Sequence, residues 1–231
     1  SITAGQGHNQ TAMVISKRFN ECGVECKYLD VYKFINPILS DSVNKIYLMS
    51  TKAIPKIYGG VYRMCEKRGV QSGAGIHGLN RITNSVLSRS LIKLIQKEKP
   101  DFIICTHIFA ALLVTYISSI EHLNAKTIGV ITDFTIHPYW EDSLLDYYII
   151  ANERLTIQGI KKGFPENKFL PLGIPIGTKF SRKIEKSKAK EILNLHSKHT
   201  ILVMSGSMGF GAVYKAVSYT HLRAHETRSN L

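Results

Sequence analysis

Five stretches of this sequence hold a near-continuous apolar run. They are DFIICTH (101–107), KTIGVITD (126–133), YYIIAN (147–152), KFLPLG (168–173) and HTILVMSG (199–206). Each is too short for an independent helix, and none alternates apolar with polar residues as a strand wetted on one face would. Runs of this kind fit parallel strands covered on both faces. The segments between them carry helical spacing. In 79–99, Leu79, Ile82, Val86, Leu87, Leu91, Leu94 and Ile95 fall on one stripe. An amphipathic helix from about His8 to Glu21 leads into a further strand, VECKYLDV (24–31). Strand and helix at this cadence predict an α/β fold with a parallel, Rossmann-like sheet.

Gly and Pro cluster in LGIPIGTKF (172–180), followed by a charged stretch and a fresh apolar run ending in SGSMGFG. That second glycine turn at a strand end predicts the opening of a second Rossmann-like domain. The expected organisation is a first domain over 1–171, a linker over 172–198 and the start of a second domain over 199–215. Residues 216–231, AVSYTHLRAHETRSNL, show no apolar period. They resemble a translated sequencing adapter and are set aside as a non-native tail. With no initiator methionine at Ser1, the expectation is a fragment lacking its first strand and most of its second domain.

The net charge is +13, and the excess is uneven: residues 1–100 hold 15 of the 30 basic side chains but 6 of the 17 acidic ones. This suits either an anionic partner of the first half or a solvated basic surface. Residues 43–68 interleave Val43, Ile46, Tyr47, Ile54, Ile57, Tyr58, Val61 and Tyr62 with six basic residues, and Pro55 starts a second helix. Such helices fit a membrane interface or an ordinary core-facing pair. Residues 69–78 read as a glycine-rich loop. Cys22, Cys26, Cys65 and Cys105 form no CxxC pair, which fits free thiols. The most apolar stretch, 108–120, is too short to span a bilayer.

Two constellations carry chemistry. Gly5-Gln6-Gly7-His8 follows a strand and opens a helix, a place for a phosphate cradle, a catalytic imidazole or a tight turn. Gln10 stands where a dinucleotide fingerprint needs glycine, which weighs against a nicotinamide site. His8 at a helix start is held neutral by the dipole and could accept a proton from a hydroxyl. It could equally be a capping or packing group. In TDFTIHPYW (132–140), Asp133 ends a strand on the same sheet edge, with His137, Tyr139 and Trp140 in one loop. Asp133 could orient an imidazole or line a pocket. His107 reaches that edge too, but the spacing of these residues matches no metal-ligand pattern.

Together TAGQGHNQTA, NPILSDSVNKIYLMS, KPDFIICTH, VITDFTIHPYW, LGIPI and VMSGSMGFG occur in an order that resembles the monogalactosyl- and diglucosyl-diacylglycerol synthases, from Ser1 to about Lys215. The resemblance implies a GT-B fold: a lipid-acceptor domain followed by the start of a nucleotide-sugar domain. It implies inverting, metal-independent transfer of a hexose from UDP-glucose or UDP-galactose to diacylglycerol. No cofactor is implied beyond the UDP-sugar, and no nucleic acid. The enzyme would sit peripherally on the cytoplasmic face of the membrane, drawn to anionic lipid, and 43–68 would be its membrane-contacting region. His8 and Asp133 would be catalytic, with His8 the general base. Gly5, Gly7, His137 and Trp140 would bind the acceptor, and Gly206, Ser207 and Gly209 the donor. The fragment alone would be inactive. A polyprenyl-linked acceptor, a nicotinamide oxidoreductase and a non-catalytic membrane module are the other readings.

Overall fold

The computed structural model describes residues 1–2, 6–35, 88–196 and 199–204. Four parallel strands form one sheet in chain order: β1 (Phe102–Cys105), β2 (Lys126–Val130), β3 (Tyr147–Ile149) and β4 (Phe169–Leu170). Cys105 is in register with Gly129, Val130 with Ile149, and Ile149 with Leu170. Single bonds carry the pairing further, from Ile131 N to Ile149 O at 2.9 Å and from Ile150 N to Leu170 O at 3.0 Å. The helices are α1 (Gln6–Glu21), α2 (Val31–Ile35), α3 (residues 88–98), α4 (Ile108–Ile120), α5 (Arg154–Lys161) and α6 (Lys186–Ile192). The α/β class with a parallel, Rossmann-like sheet is therefore the one expected.

Two of the expected strands are not formed among the described residues. Val24–Asp30 is not assigned as strand. Side chains of α1 take the backbone groups that a neighbouring strand would otherwise pair: Cys26 N donates to Asn20 Oδ1 at 3.0 Å, and Cys26 O accepts from Ser16 Oγ at 2.8 Å. Among the described residues its end is paired, where the Ser1 ammonium donates to Leu29 O at 3.0 Å and Val31 N donates to Ser1 O at 2.9 Å. The described part of the run at 199–206 also forms no strand, and Ile201, Leu202 and Met204 are exposed. Among the described residues nothing pairs with it, and an isolated strand gains no ladder bonds. The segment 43–68, the loop at 69–78 and the tail from 216 lie outside the described residues. So do Gly5, Gly206, Ser207 and Gly209.

The chain divides into two units, Ser1–Gly177 and Thr178–Leu231. In the second, Glu185 caps α6 by accepting from Ser187 N at 2.7 Å. In the first, α4 buries Ala110, Ala111, Leu113, Val114 and Ile117. Leu91 of α3 is buried in the same core, with Leu94 and Ile95 packed against it. Tyr148 of β3 is the centre of an aromatic group: Trp140 and Phe164 meet its ring edge-on at 6.2 Å and 5.1 Å. Its hydroxyl donates to Ser143 O at 2.6 Å, so the polar tip is satisfied where the ring is buried.

Gly159 in α5 lies directly against this group. A Cβ there would come within 2.2 Å of the Phe169 ring and 3.2 Å of Ile136. Alanine normally stabilises a helix by about 1 kcal/mol over glycine. Here the sign should reverse, because Phe169 is itself buried and overpacking costs about 1–3 kcal/mol. Gly159→Ala is expected to lower the urea midpoint of the first unit.

Candidate functional site

Three segments converge at the carboxyl edge of the sheet: the first turn of α1, the chain leaving β1, and the chain leaving β2. His8 is the third residue of α1 and is partly buried. Its Nδ1 lies 3.0 Å from the carbonyl oxygen of Thr106. A carbonyl only accepts, so Nδ1 carries the proton and donates. In the neutral ring the lone pair is then on Nε2. Burial pulls the His8 pKa below its ordinary 6.5, while the charge of Asp133 and the bond to Thr106 pull it back up. At neutral pH the ring is an uncharged base whose protonated form has a carboxylate nearby to support it.

His107 is the residue before α4, in extended conformation, and its Nδ1 accepts from Phe109 N at 3.2 Å. Its ring meets that of His8 edge-on at 4.6 Å. Only 7% of it is exposed, and burial, with His8 adding to it, pushes its pKa down to about 2. His137 caps a 3-10 turn, Pro138–Asp142, in the same manner, accepting from Tyr139 N at 3.2 Å. Burial lowers its pKa as well, against the pull of Asp133. Phe109 and Tyr139 continue the row of rings: His107 to Phe109 at 5.4 Å, Phe109 to Tyr139 at 6.2 Å, Tyr139 to His137 at 5.0 Å.

The loop with Asp133 and His137 is tied to α5. Gln158 accepts from Ile136 N at 2.9 Å and donates to Thr135 Oγ1 at 2.8 Å. Lys162 pairs with Glu141 at 2.6 Å, both largely buried. Asp133 itself is exposed.

His107 fixes a stability dependence on pH. Unfolded, its imidazole titrates near 6.5; folded, near about 2. Between these values the unfolded chain holds a proton that the native fold refuses. Its contribution is therefore complete above 6.5 and is lost as pH falls toward 2, at about 1.4 kcal/mol per pH unit from this one group. His107→Asn keeps a capping side chain but does not titrate. Urea unfolding between pH 7 and 5 is expected to show a shallower loss of stability in this variant than in the wild type.

The expected site residues distribute as follows. His8, Asp133 and His137 are at one edge, and the charge of Asp133 reaches both imidazoles. Gly7 is exposed in the first turn of α1, with open space where a Cβ would stand. Trp140, expected to bind the acceptor, is 3% exposed, with its ring against Gly129 and Tyr148 in the core. The partners of His8 Nδ1 were also not anticipated. They are Thr106 and Thr132, not Asp133. Both threonines follow strand runs, immediately before the histidine and the aspartate that draw attention first. Among the described residues no group of three or more His, Cys, Asp or Glu side chains is arranged to hold a metal ion.

The comparisons with known proteins concern this same region. A family model described as monogalactosyldiacylglycerol (MGDG) synthase matches residues 8–176. An uncharacterized glycosyltransferase, YkoN, of Bacillus subtilis is 24% identical over 94% of this chain and 55% of its own length. A processive diacylglycerol beta-glucosyltransferase of Staphylococcus saprophyticus is 27% identical over 92% of the chain and 54% of its own. One of the same description from Bacillus mycoides is 26% identical over 89% and 51%. The chain thus spans about half the length of the curated relatives it matches. No solved structure matches it.

Proposed function

The chain belongs to the monogalactosyldiacylglycerol synthase family, and from that premise we propose that it is the acceptor-side part of a glycosyltransferase that moves a hexose from a UDP-sugar to diacylglycerol. The lone pair on His8 Nε2 at the carboxyl edge of the sheet carries this reading. It is left free because Nδ1 is committed to a carbonyl, and it lies in the region the family model covers.

The chemistry follows from that atom. As the lipid hydroxyl oxygen attacks the anomeric carbon, His8 Nε2 takes its proton, and the bond from that carbon to the diphosphate breaks with its electron pair. One displacement inverts the configuration and needs no metal in this account. Asp133 stabilises the imidazolium while it exists, and the open backbone at Gly7 and the ring of His137 line the acceptor side. Trp140 is assigned to packing. The leaving diphosphate needs amide donors from a second domain, a role that suits Gly206, Ser207 and Gly209. No helix among the described residues is long and apolar enough to cross a membrane. The proposed attachment is peripheral, on the cytoplasmic face, through the basic first half and anionic lipid.

The test is transfer of labelled glucose or galactose from the UDP-sugar to diacylglycerol in mixed vesicles by the full-length gene product. Labelled glycolipid is the expected product. Hydrolysis of the donor without glycolipid, or transfer only to a polyprenyl acceptor, would contradict the reading.

A further inference from the structure

The group that holds the His8 ring comes from a different place than the loop's carboxylate suggests. Two oxygens lie within hydrogen-bond distance of Nδ1: the Thr106 carbonyl at 3.0 Å and the Thr132 hydroxyl at 2.8 Å. One is on the chain leaving β1 and the other on the chain leaving β2, so the ring bridges two strand ends from its position on α1.

We propose that Thr132 is a positioning residue: its hydroxyl oxygen, together with the Thr106 carbonyl, keeps the His8 proton on Nδ1 and the lone pair on Nε2. The inference rests on the reading of His8 as the base. The opposite arrangement, with Thr132 donating to a bare Nδ1, would set the carbonyl lone pairs against the nitrogen lone pair at 3.0 Å. The hydroxyl therefore accepts alongside the carbonyl, and its own proton turns away from the ring. Turning the ring over would put a carbon where Nδ1 stands and break both bonds. The two oxygens thus fix the orientation of the ring as well as its tautomer.

The chemical character of these two groups matters. In hydrolase triads a carboxylate holds the same ring nitrogen and favours the imidazolium. Here both contacts are neutral, so they direct the ring without charging it, and the Asp133 carboxylate acts through space. A positioned ring that stays uncharged at rest is what abstraction of an alcohol proton requires.

The experiment uses the chain itself, labelled with nitrogen-15 in histidine, at pH 8 and without substrate. Long-range proton–nitrogen correlations report which nitrogen of each ring is protonated, and a His8→Gln sample assigns the His8 signals. The wild type is expected to show a protonated Nδ1 and a bare Nε2. Thr132→Val removes the hydroxyl at nearly constant shape, and loss of one hydrogen bond should raise the share of the Nε2–H tautomer about fivefold. Thr132→Ser should restore the wild-type pattern. Should the valine variant fail to fold, Thr132→Ala is held to the same criterion. The proposal is overturned if the wild type carries its proton on Nε2. It is equally overturned if the hydroxyl-free variant keeps the wild-type tautomer ratio with its β1 and β2 amide signals intact. A wild-type proton on Nε2 would overturn the catalytic reading as well, whereas an unchanged tautomer ratio in the hydroxyl-free variant overturns the role of Thr132 alone. The His8 kinetics decide the catalytic reading by themselves.

Discussion

Replacing His8 with alanine is expected to cost the full-length gene product about 100-fold or more in turnover, the usual contribution of a positioned general base. That corresponds to about 3 kcal/mol of transition-state stabilisation. The loss should appear mainly in kcat, because the proton moves only as the new bond forms and the ground-state contacts to the lipid are made elsewhere. The fold should survive, since His8 is only partly buried and its ring is held by two hydrogen bonds. The pH profile of the wild type gives a second reading of the same residue. The neutral ring is the active form, so the rate should be full above the His8 pKa and fall as pH drops through it. Burial places that pKa below the ordinary 6.5, so the acid limb should lie on the low side of 6.5. In the alanine variant the residual rate should lose that limb. An alanine variant with the wild-type rate would remove His8 from the chemistry.

The largest stability effect is expected at Trp140. Its ring is 3% exposed, sits over Gly129, where an added Cβ would come within 2.9 Å of it, and meets Tyr148 edge-on. Trp140→Ala should lower the free energy of unfolding by about 3–5 kcal/mol, through lost burial and the cavity left on the sheet. Denaturant unfolding followed by circular dichroism measures this, and Trp140→Phe, which refills most of the volume, should recover part of the loss. If Trp140 instead served the acceptor directly, the alanine variant would unfold at the wild-type midpoint and show its defect only in KM for the lipid. The difference matters for interpretation, because a loss of activity at Trp140 says nothing about contact with substrate until stability has been measured.

The parallel sheet was legible because burial on both faces leaves a mark that needs no neighbours to interpret: 101–107, 126–133, 147–152 and 168–173 each contain one of the four strands. The same mark has no strand beneath it over 199–204, the described part of its run, where apolar residues lie exposed and without a described partner. Composition reports what a strand would like to bury, whereas forming one depends on a second strand beside it. Val24–Asp30 failed for a related reason, since Ser16 and Asn20 of α1 claim the backbone of Cys26, and no periodicity reports such a capture. Which side chains stand at the sheet edge was also legible: His8, His107, Asp133 and His137 all follow strands or open helices. What each one touches was not. Asp133 could have oriented an imidazole or lined a pocket, and the hydrogen bonds of His8 Nδ1 go instead to a backbone carbonyl and a threonine hydroxyl. A carbonyl has no identity in a sequence, and a threonine at a strand end is too ordinary to attract notice. Nor does the sequence show that Trp140, in a loop at the edge, turns its own ring inward over a glycine on β2.

All of this depends on where Nε2 of His8 points when the lipid is bound. A crystal structure of the full-length gene product with a diacylglycerol analogue and UDP measures that directly. The lipid hydroxyl oxygen should lie about 3 Å from Nε2, within hydrogen-bond reach, with Nδ1 still on the Thr106 carbonyl. A lipid hydroxyl held by another side chain, with Nε2 packed against protein, would contradict the account.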